Sequence, residues 1–371
     1  MMQVTDIVCT NCGRGFPSHG SPYCCPVCGG LFDFSRLFHF DPSRIDPALP
    51  GIWRYRHAFG LPDRVAPVSL GEGDTPLIRA RAFGRELAVK CEYLNPTGSF
   101  KDRGSSIIAA WLKVCGVELA VEDSSGNAGA SFAAYAARAG MRARIFVPSA
   151  ASGPKRRQIE AYGAELVPVA GSRSDVSAAI KLVADEGTAY ASHAYLPFNL
   201  AGYATAAYEI HDQLGGMPGS VLVPAGQGGL LLGLARGFDA VRAAGNISEK
   251  PRMVGVQARA CAPLWTLSTM GPQAMGFVAE NPTLAEGVRV RYPLRGDAVL
   301  KAVEASGGTM AAVDEEAILP ARDALARLGF YVEPTSAIVW AALAELIDKL
   351  PEPIVLVLTG AGFKYAENTI I

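Results

Sequence analysis

Glu118-Leu119-Ala120-Val121-Glu122-Asp123-Ser124-Ser125-Gly126-Asn127-Ala128-Gly129 is the stretch that decides the fold. Glu118 to Asp123 is an apolar run of strand length, and small polar residues follow it. Ala130 to Ala139 then continues at helical spacing. Strand, glycine-bearing turn and helix in that order open a parallel α/β unit. Downstream, Ala143–Val147, Glu165–Val169 and Thr188–Ala191 read as strands, with helices at Pro154–Tyr162 and Ser174–Asp185. Upstream, Leu87–Glu92 reads as a strand, Asn95–Gly98 as a turn and Ser105–Cys115 as a helix. A second block repeats the rhythm. A helix over Gly202–Leu214 leads to the strand Ser220–Val223, a glycine-rich turn and a helix over Leu231–Phe238. Strands at Met253–Gln257, Thr309–Val313 and Ile354–Leu358 follow, with helices at Glu315–Leu328 and Thr335–Leu350. The expectation is an α/β chain with two parallel-sheet domains, whose ligands bind at the carboxyl ends of the strands.

The composition agrees. The chain has 371 residues, 50% of them hydrophobic and 19% charged, which suits two domains with sizeable cores. A formal net charge of −1 provides no basic excess to hold a polyanion, so nucleic acid is not an expected partner. Met1 to Thr10 lacks the basic start of a signal peptide. The long uncharged stretch from Arg259 to Glu280 is interrupted by Pro263 and Pro272, and reads as a buried or substrate-covering segment, not a membrane span. A cytoplasmic protein without disulfides is expected.

Five of the eight cysteines fall in the first 28 residues. Cys9 and Cys12 form one C-x2-C pair, and Cys25 and Cys28 another, each followed by a glycine. Four thiolates at this spacing suit a tetrahedral structural zinc, with Cys24 as an alternative to Cys25. Cys91, Cys115 and Cys261 stand alone among apolar neighbours and read as core residues.

Four further segments can carry chemistry. Lys101, in Gly98-Ser99-Phe100-Lys101-Asp102-Arg103-Gly104, lies between a strand and a helix. The helix dipole and burial both favour its neutral amine, the nucleophilic form. A surface lysine opposite Asp102 is the plainer alternative. Gly226-Gln227-Gly228-Gly229-Leu230 follows a strand and opens a helix, so its amides can converge on an anion. It lacks both the Lys-Ser/Thr pair of a P-loop and the dinucleotide spacing, and fits a single phosphate. Ser124, Ser125 and Asn127 offer hydroxyls and an amide for a carboxylate or a cofactor oxygen, or a simple helix cap. Thr359, in Thr359-Gly360-Ala361-Gly362, could present a hydroxyl at a strand end.

In this order the segments resemble the fold type II pyridoxal-phosphate enzymes, and among them the threonine synthases that carry an N-terminal zinc ribbon. Gly71-Glu72-Gly73-Asp74-Thr75-Pro76-Leu77, Gly51-Ile52-Trp53-Arg54-Tyr55, Ala285-Glu286-Gly287-Val288 and Glu333-Pro334-Thr335-Ser336-Ala337 are similar to motifs of that family. The resemblance implies two α/β domains with the cofactor between them. It places a ribbon over 1–35, a lead-in over 36–100, a small domain over 101–205 and a large cofactor-binding domain over 206–371. It implies that Lys101 holds pyridoxal phosphate as a Schiff base and moves protons, and that Asn127 meets the phenolic oxygen. Gly226 through Leu230 would hold the phosphate, and Thr359 would face the pyridine nitrogen. Ser124, Ser125 and Asn127 would seat the substrate carboxylate. The implied reaction converts O-phosphohomoserine and water to threonine and phosphate, in a homodimer acting on a small amino acid.

The chain departs from the family pattern at 192–205. Asn199 stands where the family commonly has an arginine, and His193-Ala194 where it has Asn-Ser. Phosphate recognition usually relies on cationic forks. His193 becomes a candidate substrate ligand or acid, and Lys155 a candidate source of positive charge. Two alternatives therefore stand beside threonine synthesis. One is a β-replacement or serine/threonine dehydratase reaction on the same scaffold. The other is a non-catalytic zinc-ribbon protein that binds a partner or nucleic acid.

Overall fold

The computed structural model describes residues 6–149, 153–171, 173–245 and 247–365. They divide into two compact units, one of residues 6–73 and 95–202, the other of 74–94 and 203–365. In chain order the elements begin with β1 (Ile7–Cys9), β2 (Phe32–Phe34), β3 (Leu77–Ala82), β4 (Arg85–Lys90) and α1 (Lys101–Val114). They continue with β5 (Leu119–Glu122), α2 (Asn127–Ala139), β6 (Arg142–Pro148), α3 (Pro154–Ala161), β7 (Glu165–Val169), α4 (Arg173–Asp185) and β8 (Ala189–Tyr190). Next come α5 (Phe198–Leu214), β9 (Ser220–Pro224), α6 (Gly229–Gly245), β10 (Arg252–Ala258), α7 (Pro263–Met270) and α8 (Gly296–Ala305). The last are β11 (Thr309–Val313), α9 (Glu315–Arg327), α10 (Pro334–Leu346) and β12 (Ile354–Val357).

The first unit contains a four-stranded sheet in the order β7-β6-β5-β8, parallel throughout. Val121, Phe146, Val176, Ile180 and Tyr190 close one face of it. The antiparallel pair β1-β2 belongs to the same unit. An aromatic cluster ties it down: Phe16 meets Phe32 edge-on at 4.8 Å and Phe198 at 5.3 Å, and Trp111 stacks on Phe198 at 4.9 Å. Two glycines allow backbones to touch. A Cβ on Gly129 would lie 1.8 Å from the Ser124 carbonyl oxygen, and one on Gly202 would lie 2.1 Å from that of Arg103.

The second unit contains a six-stranded sheet in the order β11-β10-β9-β12-β4-β3, parallel except for the edge strand β3. β9 and β12 are buried along their whole length, as central parallel strands must be. Helix α10 packs on this sheet with ten consecutive buried residues, Pro334 to Leu343.

The parallel α/β expectation is met, with differences at helix starts. Helix α1 begins at Lys101, not Ser105, and α2 at Asn127, not Ala130. Helix α6 runs from Gly229 to Gly245, well beyond Leu231–Phe238. Apolar periodicity marks only the residues that face a core. The first turns here are polar or glycine-rich and give no such signal. The 259–280 stretch forms α7 between two short 3-10 segments and is not buried throughout: Phe277 is 90% exposed and Met270 54%. Among the described residues no helix is long and apolar enough to cross a membrane.

One buried ion pair lies inside the second unit. The Lys90 ammonium donates to Glu209 at 2.7 Å, to the Thr75 carbonyl at 2.7 Å and to Gln213 at 2.9 Å, which uses all three of its protons. Lys90→Met would strand the Glu209 carboxylate. Loss of about 3–5 kcal/mol is expected, measurable by denaturant unfolding against the unsubstituted protein.

Candidate active site

Lys101 is the first residue of α1 and partly buried. Asp102 is not its counter-charge. The Asp102 carboxylate is buried and accepts hydrogen bonds from the Thr97 amide at 2.7 Å, the Thr97 hydroxyl and the Ser131 hydroxyl at 2.6 Å. These bonds fix the turn that presents Lys101. Burial pulls the Lys101 amine down to about 8, opposed by the Glu122 charge and assisted by Arg173.

Glu122, the last residue of β5, is 1% exposed. Its Oε2 accepts from the Ser124 amide at 2.6 Å, and its Oε1 lies 2.9 Å from His193 Nδ1. Burial pushes the Glu122 carboxyl up to about 7, against the Ser124 amide and the charges of Arg173 and Lys101. Burial also drives His193 well below the usual imidazole range, with help from Lys101. His193 is therefore neutral near neutrality, while Glu122 stands between its neutral and ionised forms. Asn199 is buried, and its side-chain amide donates to the His193 carbonyl, so it braces the backbone of the 193–199 loop. Its Oδ1 finds no partner among the described residues.

Ser124, Ser125 and Asn127 form the turn from β5 into α2. The Ser124 hydroxyl faces inward and accepts from the Gly126 amide at 3.2 Å, so it shapes the turn. Ser125 and Asn127 are partly open. Lys155 lies on the first turn of α3. The cation whose charge acts on Lys101, Glu122, Asp123 and His193 is instead Arg173, the first residue of α4. Sequence reasoning missed Glu122 and Arg173. The available signal was a carboxylate closing an otherwise apolar strand.

In the second unit, Gly226 to Leu230 joins β9 to α6. A Cβ at Gly226 would meet the Gly287 carbonyl at 2.7 Å, and Gly228 has φ +77° with Val299 against it. Gln257 donates to the Ala225 carbonyl at 2.9 Å, and Gln227 accepts the Leu294 amide at 3.0 Å. The hydrogen bond from Leu232 to Gly228 spans the start of α6, so the amides before it are those a helix offers to an anion. Thr359 follows β12 and is buried. Its hydroxyl sits 3.1 Å from Ser336 Oγ, which also receives the Thr359 and Gly360 amides at 3.0 and 2.9 Å.

A family model described as "Pyridoxal-phosphate dependent enzyme" matches residues 68–360. The chain belongs to that family. It is threonine synthase-like. The threonine synthase of Methanocaldococcus jannaschii is 35% identical over 98% of this chain and 93% of its own. That of Methanosarcina acetivorans is 32% identical over 98% and 93%. Among solved structures, a threonine deaminase from T.th. aligns with TM-score 0.64 and 29% identity, over 79% of this chain and 94% of its own. Maize serine racemase, at 24% identity and TM-score 0.65 over 78% and 88%, shares the fold.

The residues present fit pyridoxal phosphate: an amine-ready lysine, a glycine turn that a side chain would fill, and a held hydroxyl at a strand end. Ser99 Oγ, two residues before Lys101, is buried with no partner among the described residues. In the ribbon, the sulfurs of Cys9, Cys12, Cys25 and Cys28 all lie within 4.8 Å of one another, and Cys24 stands outside the group. Cys9–Cys28 is 3.5 Å and Cys12–Cys25 3.7 Å. Tetrahedral zinc with bonds of about 2.3 Å sets sulfurs about 3.8 Å apart, so this arrangement is compatible with the metal.

Two measurements follow. In cofactor-free protein, acylation of Lys101 followed by mass spectrometry should rise with pH through a midpoint of about 8 and then level off. Elemental analysis is expected to find one zinc per unsubstituted chain and none in a Cys9→Ser, Cys12→Ser variant.

Proposed function

We propose that the protein is a lyase that converts O-phosphohomoserine and water to threonine and phosphate. In the first unit Lys101 and Asn127 suit the aldehyde and the phenolic oxygen of pyridoxal phosphate; in the second, Gly226 to Leu230 suit a phosphate and Thr359 a ring nitrogen. When bound, that group draws off the negative charge left at the substrate α-carbon when its proton is removed. Lys101 takes that proton, because its amine is already half free near pH 8. The Gly226–Leu230 amides neutralise a phosphate without a cationic side chain. Thr359, held by Ser336, offers a neutral hydroxyl in place of a carboxylate. Ser125 and Asn127 seat the substrate carboxylate. Zinc on Cys9, Cys12, Cys25 and Cys28 is structural, because four protein ligands leave no open position. The observation that carries this reading is the near full-length identity to threonine synthases.

One observation favours a second reading, a serine or threonine dehydratase. Asn199 spends its amide on the His193 backbone, and burial keeps His193 neutral, so neither supplies a cation for a substrate phosphate. The likeness to a threonine deaminase supports it.

The test offers O-phosphohomoserine, L-serine and L-threonine to the purified yellow protein. Threonine with one equivalent of phosphate is the expected result. Keto acid from serine or threonine, with no phosphate release, would establish the dehydratase instead. Lys101→Ala should lower turnover by at least about 10³-fold and abolish covalent cofactor attachment.

A further inference from the structure

Glu122 has no part in the chemistry described so far, yet it is a fully buried carboxyl within electrostatic reach of Lys101. Its two oxygens are separately engaged, one by the Ser124 amide at 2.6 Å and one by His193 Nδ1 at 2.9 Å. The His193 side chain is 15% exposed, so the ring is not sealed away. The groups that act on the pair from surrounding elements are Lys101 on α1, Asp123 at the end of β5 and Arg173 on α4.

We propose that Glu122 and His193 form a proton relay, separate from Lys101, that protonates the oxygen leaving the substrate carbon. This rests on the reading of the protein as a lyase whose Lys101 removes the α-proton. At rest the Glu122 carboxyl donates to Nδ1, which leaves the imidazole proton on Nε2. As the carbon–oxygen bond breaks and its electron pair stays with oxygen, the Nε2–H bond breaks and that oxygen gains the proton. The Glu122 O–H bond breaks in turn, and an Nδ1–H bond forms. The imidazole ends neutral, as its burial requires, and the charge rests on Glu122. There the Ser124 amide, the new Nδ1–H and the Lys101 ammonium, formed from the α-proton, all stabilise it. Water that later adds to carbon returns a proton by the reverse path. His193 is thus assigned as the acid that meets substrate, and Glu122 as the residue that positions and reloads it.

The relay matters only for a leaving group that needs a proton. The holoenzyme is given its oxygen substrate, whichever of O-phosphohomoserine and L-serine it turns over, and separately 3-chloro-L-alanine, whose chloride departs without one. Glu122→Gln and His193→Gln should each slow the oxygen substrate by about 10²-fold or more. The chloro substrate should stay within about threefold of the unsubstituted rate, with cofactor loading unchanged. Equal slowing of both substrates, or of neither, overturns the relay. A second readout does not depend on turnover. With ¹⁵N-labelled histidine, the His193 signals should pass from the Nε2–H to the Nδ1–H tautomer as pH rises through about 7, and Glu122→Gln should abolish the change. A single tautomer from about pH 6 to about pH 9 overturns the relay. If no oxygen substrate turns over while the tautomer still switches, the proposed function fails and the proton pair stands.

Discussion

A parallel strand that ends against the N-terminus of a helix leaves several amide protons with no partner in either element. Two such ends carry the candidate site residues. β5 gives way to the Ser124–Asn127 turn and α2, and β9 to the Gly226–Leu230 turn and α6, while β12 ends at Thr359, whose amide Ser336 accepts. Each turn holds small residues because larger ones would collide: Gly129 with the Ser124 carbonyl, Gly226 with Gly287. In the proposed function the amides at the start of α6, not charged side chains, meet the phosphate, which a chain of net charge −1 can still offer.

Charge is managed by exclusion. Lys101, Glu122 and His193 all sit where burial disfavours the ionised form. Lys101 and Glu122 are thereby held close to proton exchange near neutral pH, with His193 kept neutral beside Glu122. By contrast, groups with structural work keep full charge compensation. Asp102 is saturated by Thr97 and Ser131, and Lys90 by Glu209, Thr75 and Gln213. Side chains that hold shape are over-satisfied, and those that move protons are left with narrow margins.

Much of this was legible in the sequence, for reasons particular residues explain. Strand positions emerged from apolar runs because β5, β9 and β12 are buried, and the cysteine pairs were legible because metal geometry fixes ligand spacing. The first turns of α1, α2 and α6 were illegible to periodicity, since they are polar or glycine-rich and carry no apolar repeat. Glu122 escaped notice because nothing in its neighbourhood along the chain tells that His193, 71 residues later, lies beside it. Arg173 escaped for the same reason, and Lys155 was named in its place. Contacts that join distant loops are set by the sheet order β7-β6-β5-β8, which local patterns do not encode.

The close backbone approaches at Gly129 and Gly202 carry an evolutionary consequence. Neither position accepts even a methyl group, so the scaffold cannot drift there without coming apart. Ser125 and His193 lie on connecting segments and Asn199 on the first turn of α5, where exchange leaves the sheet intact. Descendants of such a chain can change the molecule they act on through a few loop residues while inheriting the cofactor machinery whole. New specificity is thus a short mutational walk, and loss of the fold is a single step away from it only at the glycines.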